Sequence, residues 1–267
     1  MPEKKQHPSL EAKPDLGFHG LKNLLWTTEF LREHCEFLTP WVGVAAQATR
    51  EAARSCLRSA RMKPYLTLVR RSHSSRSAPR AEVRYERAIF QRWSVEDGDP
   101  ESGWHRVIAY QVPVWDRKPP PLGLKAIDLL AVDAKGLPII IELKIRRGKG
   151  ADTPLLAILE AASYACVLQA DWPAFKDELE AKTKALGISE QLPEELKEFP
   201  LVVAGPPAYW DYWNYEERTT MVAARPAFRA LLEALSRHGF PVRFVSVEGP
   251  VDQPERLLIR QTRFLEG

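Results

Sequence analysis

The chain has 267 residues, of which 45% are hydrophobic and 27% charged, a composition that suits one or two globular domains. Its net charge is only +3, so the overall charge does not select nucleic acid or any other partner. The first 15 residues lack the apolar segment of a secretory signal, and no run approaches the roughly 20 apolar residues that span a bilayer. Three cysteines without C-x-x-C spacing exclude a disulfide framework and a cysteine zinc cluster. We therefore expect a soluble, cytoplasmic protein without a membrane partner.

Residues 1–80 are predicted to form a helical, basic extension. Residues 21–60 carry a helical pattern with a break near Pro40. The closing stretch RRSHSSRSAPR is typical of a linker, and residues 54–80 hold eight Lys or Arg and no Asp or Glu. This basic segment is either a disordered tether or a nucleic-acid-binding arm. We place a domain boundary after it, so that a second domain covers residues 81–267.

Helical and strand patterns alternate along this second domain. The predicted elements are a helix at 81–93, a strand at 104–115, two strands within 127–145, helices at 154–169 and within 173–200, a strand at 199–205, a helix at 224–239, a strand at 240–249 and an edge strand at 256–265. Asp152 or Thr153 is the expected N-cap of the helix that begins at Pro154. The aromatic run AYWDYWNY at 208–215 is expected to pack as a loop over the core, with base stacking as the alternative. The order predicts an α/β fold.

The sequence IDLLAVDAKGLPIIIELKI predicts a buried hairpin with a defined register. If residues 134–136 form a three-residue loop closed by Gly136, the numbers of paired residues sum to 270. Asp128 then lies opposite Glu142, with Cβ atoms roughly 5 Å apart. Lys144 follows two residues later and shares their face. Two carboxylates at this distance repel each other, and a divalent cation between them would remove the repulsion. An ordinary ion cluster on a solvated sheet face is the alternative.

This pattern resembles the motif of the PD-(D/E)xK phosphodiesterases, the restriction-endonuclease-like superfamily. An acidic residue in one strand is followed by E-x-K in the next, and Ile127-Asp128 replaces the family's Pro-Asp. The resemblance covers most of residues 81–210. It implies a central mixed β-sheet flanked by helices, with a restriction-endonuclease-like core behind the helical N-terminal extension.

The resemblance also implies a site and a reaction, the hydrolysis of a phosphodiester bond. Asp128, Glu142 and the main-chain carbonyl of Leu143 would hold Mg²⁺ or Mn²⁺. Lys144 would orient the attacking water or stabilise the developing charge.

Glu86 falls at helical spacing on one stripe with Ile89, Phe90 and Trp93. It matches a glutamate on the first helix that reaches the metal in many members of the superfamily. An exposed Glu86 paired with an arginine is the alternative.

Further residues are candidates for substrate binding. Glu160 and Tyr164 are similar to the Gln-x-x-x-Tyr element of lambda-type exonucleases, with Glu in place of Gln, although Tyr164 could equally pack in the core. Basic residues around the motif are expected to contact phosphates. These residues are Lys125, Arg146, Arg147 and Lys149.

The sequence thus predicts a metal-dependent nuclease that acts on nucleic acid, with DNA favoured over RNA. One alternative is a catalytically inactive protein of the same fold that acts as a nucleic-acid-binding or assembly subunit. A second is an unrelated α/β protein with an ion cluster, in which Asp128 and Glu142 would lie far apart or on opposite faces. The sequence leaves the oligomeric state open, with a dimer as one option.

Overall fold

The structure is a computed structural model of the chain, and it describes ten segments. They are 16–24, 31–57, 63–66, 81–98, 102–115, 120–147, 150–188, 191–214, 219–262 and 264–265. The predicted linker at 70–80 lies outside the described residues. Its role as a tether or as a nucleic-acid-binding arm therefore stays a prediction.

Within the described segments, a six-stranded mixed sheet forms the centre of the fold. Its strands lie side by side in chain order: β1 (Arg106–Pro113), β2 (Ala126–Val132), β3 (Pro138–Leu143), β4 (Leu201–Gly205), β5 (Val242–Glu248) and β6 (Leu258–Gln261). The first three strands form an antiparallel meander, β3, β4 and β5 are parallel, and β6 is antiparallel to β5. Parallel neighbours need long crossovers, which helical segments supply here. The predicted α/β class with a mixed sheet is confirmed.

Helices cover both faces of this sheet. The described α-helices are α1 (Gly17–Leu24), α2 (Leu31–Leu38), α3 (Val42–Leu57), α4 (Ala81–Trp93), α5 (Pro154–Ala170), α6 (Trp172–Ala185), α7 (Pro207–Asn214) and α8 (Thr219–Arg237). One core cluster joins α4 to one face of β2 and β3, and the larger cluster joins α1, α3, α5 and α8 to the other face. The sheet is therefore the middle of three layers.

The alternation of side chains along β3 decides which of them face α5. Ile139 and Ile141 belong to the cluster that holds Ile89 and Trp93 of α4, whereas Ile140 belongs to the cluster of α5. Every residue of β3 is buried. A strand covered on both faces is apolar throughout, which accounts for the unbroken run of three isoleucines.

The β2–β3 hairpin has the predicted register. Leu129 pairs with Ile141 and Val132 with Pro138, and both pairs of numbers sum to 270. The turn is held by Asp133, whose carboxylate accepts hydrogen bonds from backbone N–H groups of the turn. Gly136 has a φ of 83°, a left-handed conformation that favours glycine. Extending the register by one residue places Asp128 across from Glu142.

The N-terminal helices belong to the same packed body as the α5 face of the sheet. Phe18 and Leu21 of α1 are completely buried, and they share one core cluster with α3, α5 and α8. The backbone N–H of Phe18 donates to the Thr49 hydroxyl of α3 at 2.8 Å. The domain boundary near residue 80 stays a prediction, and the described helices before it pack against α5 and α8.

Two predicted elements differ in the structure. The helix within 173–200 ends at Ala185, and the described residues 191–200 are not helical. The aromatic run predicted as a loop forms α7 instead, and Tyr209, Trp210 and Trp213 are buried because they recur at helical spacing. Core packing of this run is confirmed, and Tyr215 lies outside the described residues.

No single helix in the described ranges is long and apolar enough to cross a membrane. The pair formed by α5 and α6 passes this test on length and composition when taken together, but the two helices meet at an angle of 97°.

Thr153 is the N-cap of α5, and its loss is expected to weaken the helix. Its side-chain oxygen accepts a hydrogen bond from the Leu156 N–H at 3.0 Å. Thr153→Ala should lower the free energy of unfolding by about 1 kcal/mol, because one N–H of the first turn loses its partner. Urea denaturation would measure this change. Thr153→Ser keeps the acceptor and should retain most of the stability, whereas equal losses in both variants would contradict the cap.

Candidate active site

Two neighbouring strands bring the predicted catalytic triplet together. Asp128 lies near the start of β2, Glu142 near the end of β3, and Lys144 one residue beyond that end. The Asp128 carboxylate accepts a hydrogen bond from the backbone N–H of Leu143 at 3.0 Å. The Lys144 N–H donates to the carbonyl of Ala204 in β4 at 2.8 Å, so the backbone stays fixed past the strand. The hairpin and its parallel neighbour thus hold all three side chains.

The Lys144 ammonium is buried between two carboxylates. Its Nζ lies 2.8 Å from Glu142 Oε1 and 2.6 Å from Glu160 Oε2 of α5. Glu142 and Lys144 are only 3% and 7% exposed, so these contacts form away from bulk water. The second oxygen of Glu160 faces Lys22 of α1, at 3.4 Å from its Nζ. Four charged groups from three elements therefore form one connected network.

Glu86 reaches the same site from α4. It lies on the predicted stripe with Ile89, Phe90 and Trp93, and all four are buried. Its Oε2 accepts a hydrogen bond from Gln111 Nε2 at 2.6 Å. The charge of Asp128 helps to raise the pKa of Glu86, which indicates that the two carboxyl groups are close. An exposed Glu86 on the helix surface is therefore excluded.

Burial and mutual repulsion raise the pKa values of the three carboxyl groups that lie nearest the strands. Burial is the largest cause for Glu86, and with the charge of Asp128 it raises the pKa to about 8. Burial likewise raises the pKa of Asp128 to about 6, against the opposing effect of Lys144. Burial and then Asp128 raise the pKa of Glu142 well above its ordinary value. At neutral pH the site without a cation therefore retains protons that an exposed carboxyl group would release.

The pKa values of the groups that face α5 are shifted by a different balance of burial and charge. Burial would lower the pKa of Lys144, but the carboxylates of Glu142, Glu160 and Asp128 outweigh burial and hold that pKa well above its ordinary value. Burial would raise the pKa of Glu160, but the Lys144 ammonium more than compensates, so the net shift is downward. Burial, followed by the nearby carboxylates, raises the pKa of Tyr164. The ammonium and the Glu160 carboxylate are thus the charged pair at the centre of the site.

The donor set fits a hard divalent cation. Glu142 Oε2 is buried and has no hydrogen-bond partner in the described structure, although its other oxygen accepts from Lys144. A buried oxygen without a partner is costly, and a cation would satisfy it. Oxygen ligands of this kind suit Mg²⁺ or Mn²⁺. In the described segments, no group of three or more His, Cys, Asp and Glu side chains is arranged around one metal position. The predicted ligands are the Asp128 and Glu142 carboxylates and the Leu143 carbonyl, with Glu86 as an additional candidate, so the three carboxylates of this set are not gathered around one metal position in the described structure.

The predicted substrate-binding residues fall into two groups. Glu160 and Tyr164 lie at the site, since both interact with the charges of Glu142 and Lys144. The basic residues have other contacts: the Arg146 guanidinium lies 5.3 Å from the centre of the Tyr212 ring, and Arg147 pairs with Glu82.

The structure does not place two of the residues predicted to contact phosphates, Lys125 and Lys149, at the site. Lys125 is exposed just before β2, where its carbonyl accepts a hydrogen bond from the N–H of Val114. Lys149 lies outside the described residues. Substrate contacts by any of the four basic residues stay predictions.

Two residues of the site, Gln111 and Lys22, were not predicted from the sequence. Gln111 lies across from Asp128, because its neighbours Tyr110 and Val112 pair with Leu129 and Ile127. Its φ of 48° is unusual for a residue other than glycine, and such backbone strain is often found at functional sites. An irregularity in β1 between Val107 and Ala109 shifts this register, so no alternation rule could place Gln111.

Lys22 is the second missed residue. It is 138 positions from its partner Glu160, and no local pattern connects the two.

The raised pKa values predict that the metal-free protein loses stability as the pH rises. Between about pH 6 and about pH 8, native Glu86 holds a proton that the unfolded chain has released, since its folded pKa is about 8 and its ordinary value 4.5. The free energy of unfolding should therefore fall, by at most about 1.4 kcal/mol per pH unit for this group. Urea denaturation with a chelator present would measure the slope.

Glu86→Gln tests the assignment of that slope. The amide keeps the shape of the side chain but cannot titrate, so the fall between about pH 6 and about pH 8 should become shallower, with the remainder due to Glu142. Asp133→Asn changes a carboxylate of the same hairpin outside the site and should leave the slope unchanged. An unchanged slope in Glu86→Gln would show that Glu86 is already ionised at neutral pH.

Comparisons with known proteins were made at three levels. No protein-family model matches the chain, no curated protein matches it, and no solved structure matches it. Any function therefore has to be proposed from the chemistry of the site formed by Asp128, Glu142, Lys144, Glu86 and Glu160.

Proposed function

We propose that the chain is a metal-dependent nuclease that hydrolyses phosphodiester bonds, with DNA as the favoured substrate. The observation that carries this proposal is the group formed by Asp128, Glu142 and Lys144 at adjacent strands, in which Glu142 and Lys144 are buried and Asp128 is half-buried. Buried charges that serve only stability are usually balanced by partners. Here Glu142 Oε2 has no hydrogen-bond partner in the described structure, and carboxyl groups outnumber the ammonium groups around it. A bound cation and an anionic substrate would supply the missing interactions.

The order of elements supports membership of the PD-(D/E)xK superfamily. The elements from α4 to β4 follow the α-β-β-β-α-β order expected of the superfamily, with the helix α6 as an insertion between α5 and β4. The acidic residue and the E-x-K motif lie in the second and third of these strands. The charge of Asp128 acts on Glu86 of the first helix, which supports the proposal that Glu86 is the glutamate that reaches the metal in the resemblance. We therefore interpret the core as restriction-endonuclease-like.

Each residue of the site has a role that its surroundings suit. Asp128, Glu142 and the Leu143 carbonyl would hold Mg²⁺ or Mn²⁺, with Glu86 as a further carboxylate ligand. When bound, such a cation supplies Lewis-acid activation of water and neutralisation of phosphate charge. Lys144 keeps its proton because carboxylates surround it, so its ammonium can donate to a phosphate oxygen or orient the attacking water.

The rival proposals make different predictions. An unrelated protein with a surface ion cluster would separate Asp128 from Glu142, whereas extending the register by one residue beyond the pair of Leu129 and Ile141 puts them opposite each other. An inactive nuclease-fold protein that binds nucleic acid or joins an assembly would keep the geometry and lack cleavage. The cytoplasmic location and a dimeric state are further proposals that the site itself does not address.

Metal binding should depend on Asp128. Isothermal titration calorimetry with Mn²⁺ is expected to show a site in the wild-type protein that Asp128→Asn loses, because the variant removes the charge of one proposed carboxylate ligand. Asp133→Asn makes the same chemical change in the turn of the same hairpin and should bind Mn²⁺ as the wild type does. Equal binding by all three proteins would place the metal elsewhere.

Cleavage should depend on Lys144. With Mn²⁺ or Mg²⁺ present, the wild-type protein is expected to cleave single-stranded or double-stranded DNA, with RNA tested beside them. Lys144→Met should lower the rate by on the order of 100-fold or more while Mn²⁺ binding persists, because a charge donor to the transition state is lost. Lys135→Met, in the exposed turn of the same hairpin, is the matched control. Metal binding without cleavage of any substrate would favour the inactive nuclease-fold protein.

A further inference from the structure

We propose that Lys22 is a positioning residue for Lys144, so that the N-terminal helix α1 forms part of the active site. The inference rests on the proposed function, because it gives Lys144 a catalytic role. It is carried by a chain of contacts that begins at Lys22, passes through Glu160 and ends at Lys144.

The first step is that the backbone of α1 is held in place. Phe18 and Leu21 are completely buried, and the ring of Phe18 contacts the ring of Phe240 edge to face. At Gly17, where φ is +63°, a Cβ atom would lie only 2.5 Å from the Thr49 hydroxyl oxygen. The helix therefore starts in close contact with α3. Lys22 follows Phe18 by about one turn and lies next to the buried Leu21, so the packing of α1 sets the position of its backbone.

The second step concerns Glu160, whose two oxygens serve two different lysines. Oε2 accepts from the Lys144 ammonium at 2.6 Å, and Oε1 lies 3.4 Å from the Lys22 ammonium. The side chains of Lys22 and Glu160 are 13% and 20% exposed, so water screens this pair only partly. A carboxylate that is held at both oxygens has one orientation. Glu160 therefore presents Oε2 to Lys144 because Lys22 occupies the other side.

The third step follows from what a cation would do to Lys144. Glu142 is a predicted metal ligand, and a cation held there would weaken the contact of Glu142 with Lys144. Glu160 would then be the main partner that fixes the Lys144 ammonium. An isolated Glu160 carboxylate would also repel the phosphate of a substrate, and the charge of Lys22 offsets that repulsion. Lys22 thus orients Lys144 and reduces the electrostatic repulsion between the site and an anionic substrate.

A double-mutant cycle tests the inference in the full-length chain. Lys22→Met removes the charge and keeps a similar apolar stem, and we expect the single-turnover cleavage rate to fall by about 10-fold to 100-fold while the Mn²⁺ dissociation constant stays within about twofold. Lys22→Arg should restore most of the rate. In a Glu160→Gln background, Lys22→Met should cause little further loss, because the contact it supports is already gone.

Lys176→Met is the matched control, since Lys176 of α6 likewise forms ion pairs with glutamates, with Glu180 of the same helix and with Glu194 beyond its end. It should cleave at the wild-type rate. A Lys22→Met variant with wild-type cleavage, or rate losses that simply multiply in the double variant, would overturn the inference.

A second readout does not require cleavage. The ¹⁵N–¹H signal of the Lys144 ammonium, assigned by its loss in Lys144→Met, should be observable in the wild type because the group is buried and ion-paired. It should shift in Lys22→Met, return in Lys22→Arg and stay unchanged in Lys176→Met. If the wild type gives no such signal, or if the signal is the same in the wild type and in Lys22→Met, the positioning role is overturned. If the signal behaves as expected but no substrate is cleaved, the proposed function fails and the contact chain stands.

Discussion

The ion pairs of the buried Lys144 ammonium are the interaction on which the arrangement of the site depends. Lys144 joins Glu142 of β3 to Glu160 of α5, and thereby links the sheet to the helix that covers it. Removing one partner of a buried ion pair leaves an uncompensated charge, which costs roughly 3–5 kcal/mol. The network therefore fixes the positions of these side chains more strictly than apolar packing alone would, since apolar contacts have no direction.

This network does not balance its own charge, and the imbalance indicates what the site is suited to bind. Burial raises the pKa values of Glu86, Asp128 and Glu142, so protons neutralise part of the site when no cation is present. A divalent cation would compete with those protons, because both bind to the same oxygens. On the proposed function, cation binding would therefore release protons, because burial in the three-layer fold keeps part of the carboxyl groups protonated.

The same fold explains why the N-terminal helices matter to the site. α5 is buried on nearly every side, and α1 and α3 cover the part of it that turns away from the sheet. Lys22 reaches Glu160 from this outer layer. Gln111 reaches Glu86 from the edge strand β1 on the other side. Residues distant from the PD-(D/E)xK-like motif therefore form the surroundings of its carboxylates and its lysine.

The sequence by itself determined the α/β class, the β2–β3 register and the shared face of Asp128, Glu142 and Lys144. These features follow from local rules: a three-residue turn with Gly136 sets the pairing, and the period of two in a strand sets the face. The helical period likewise placed Glu86 on the buried stripe of α4. Only the tertiary structure decided the partners of these residues. Glu160 with Lys22, and Gln111 with Glu86, meet because layers pack and a strand register shifts at an irregularity, and neither event has a local signal in the chain.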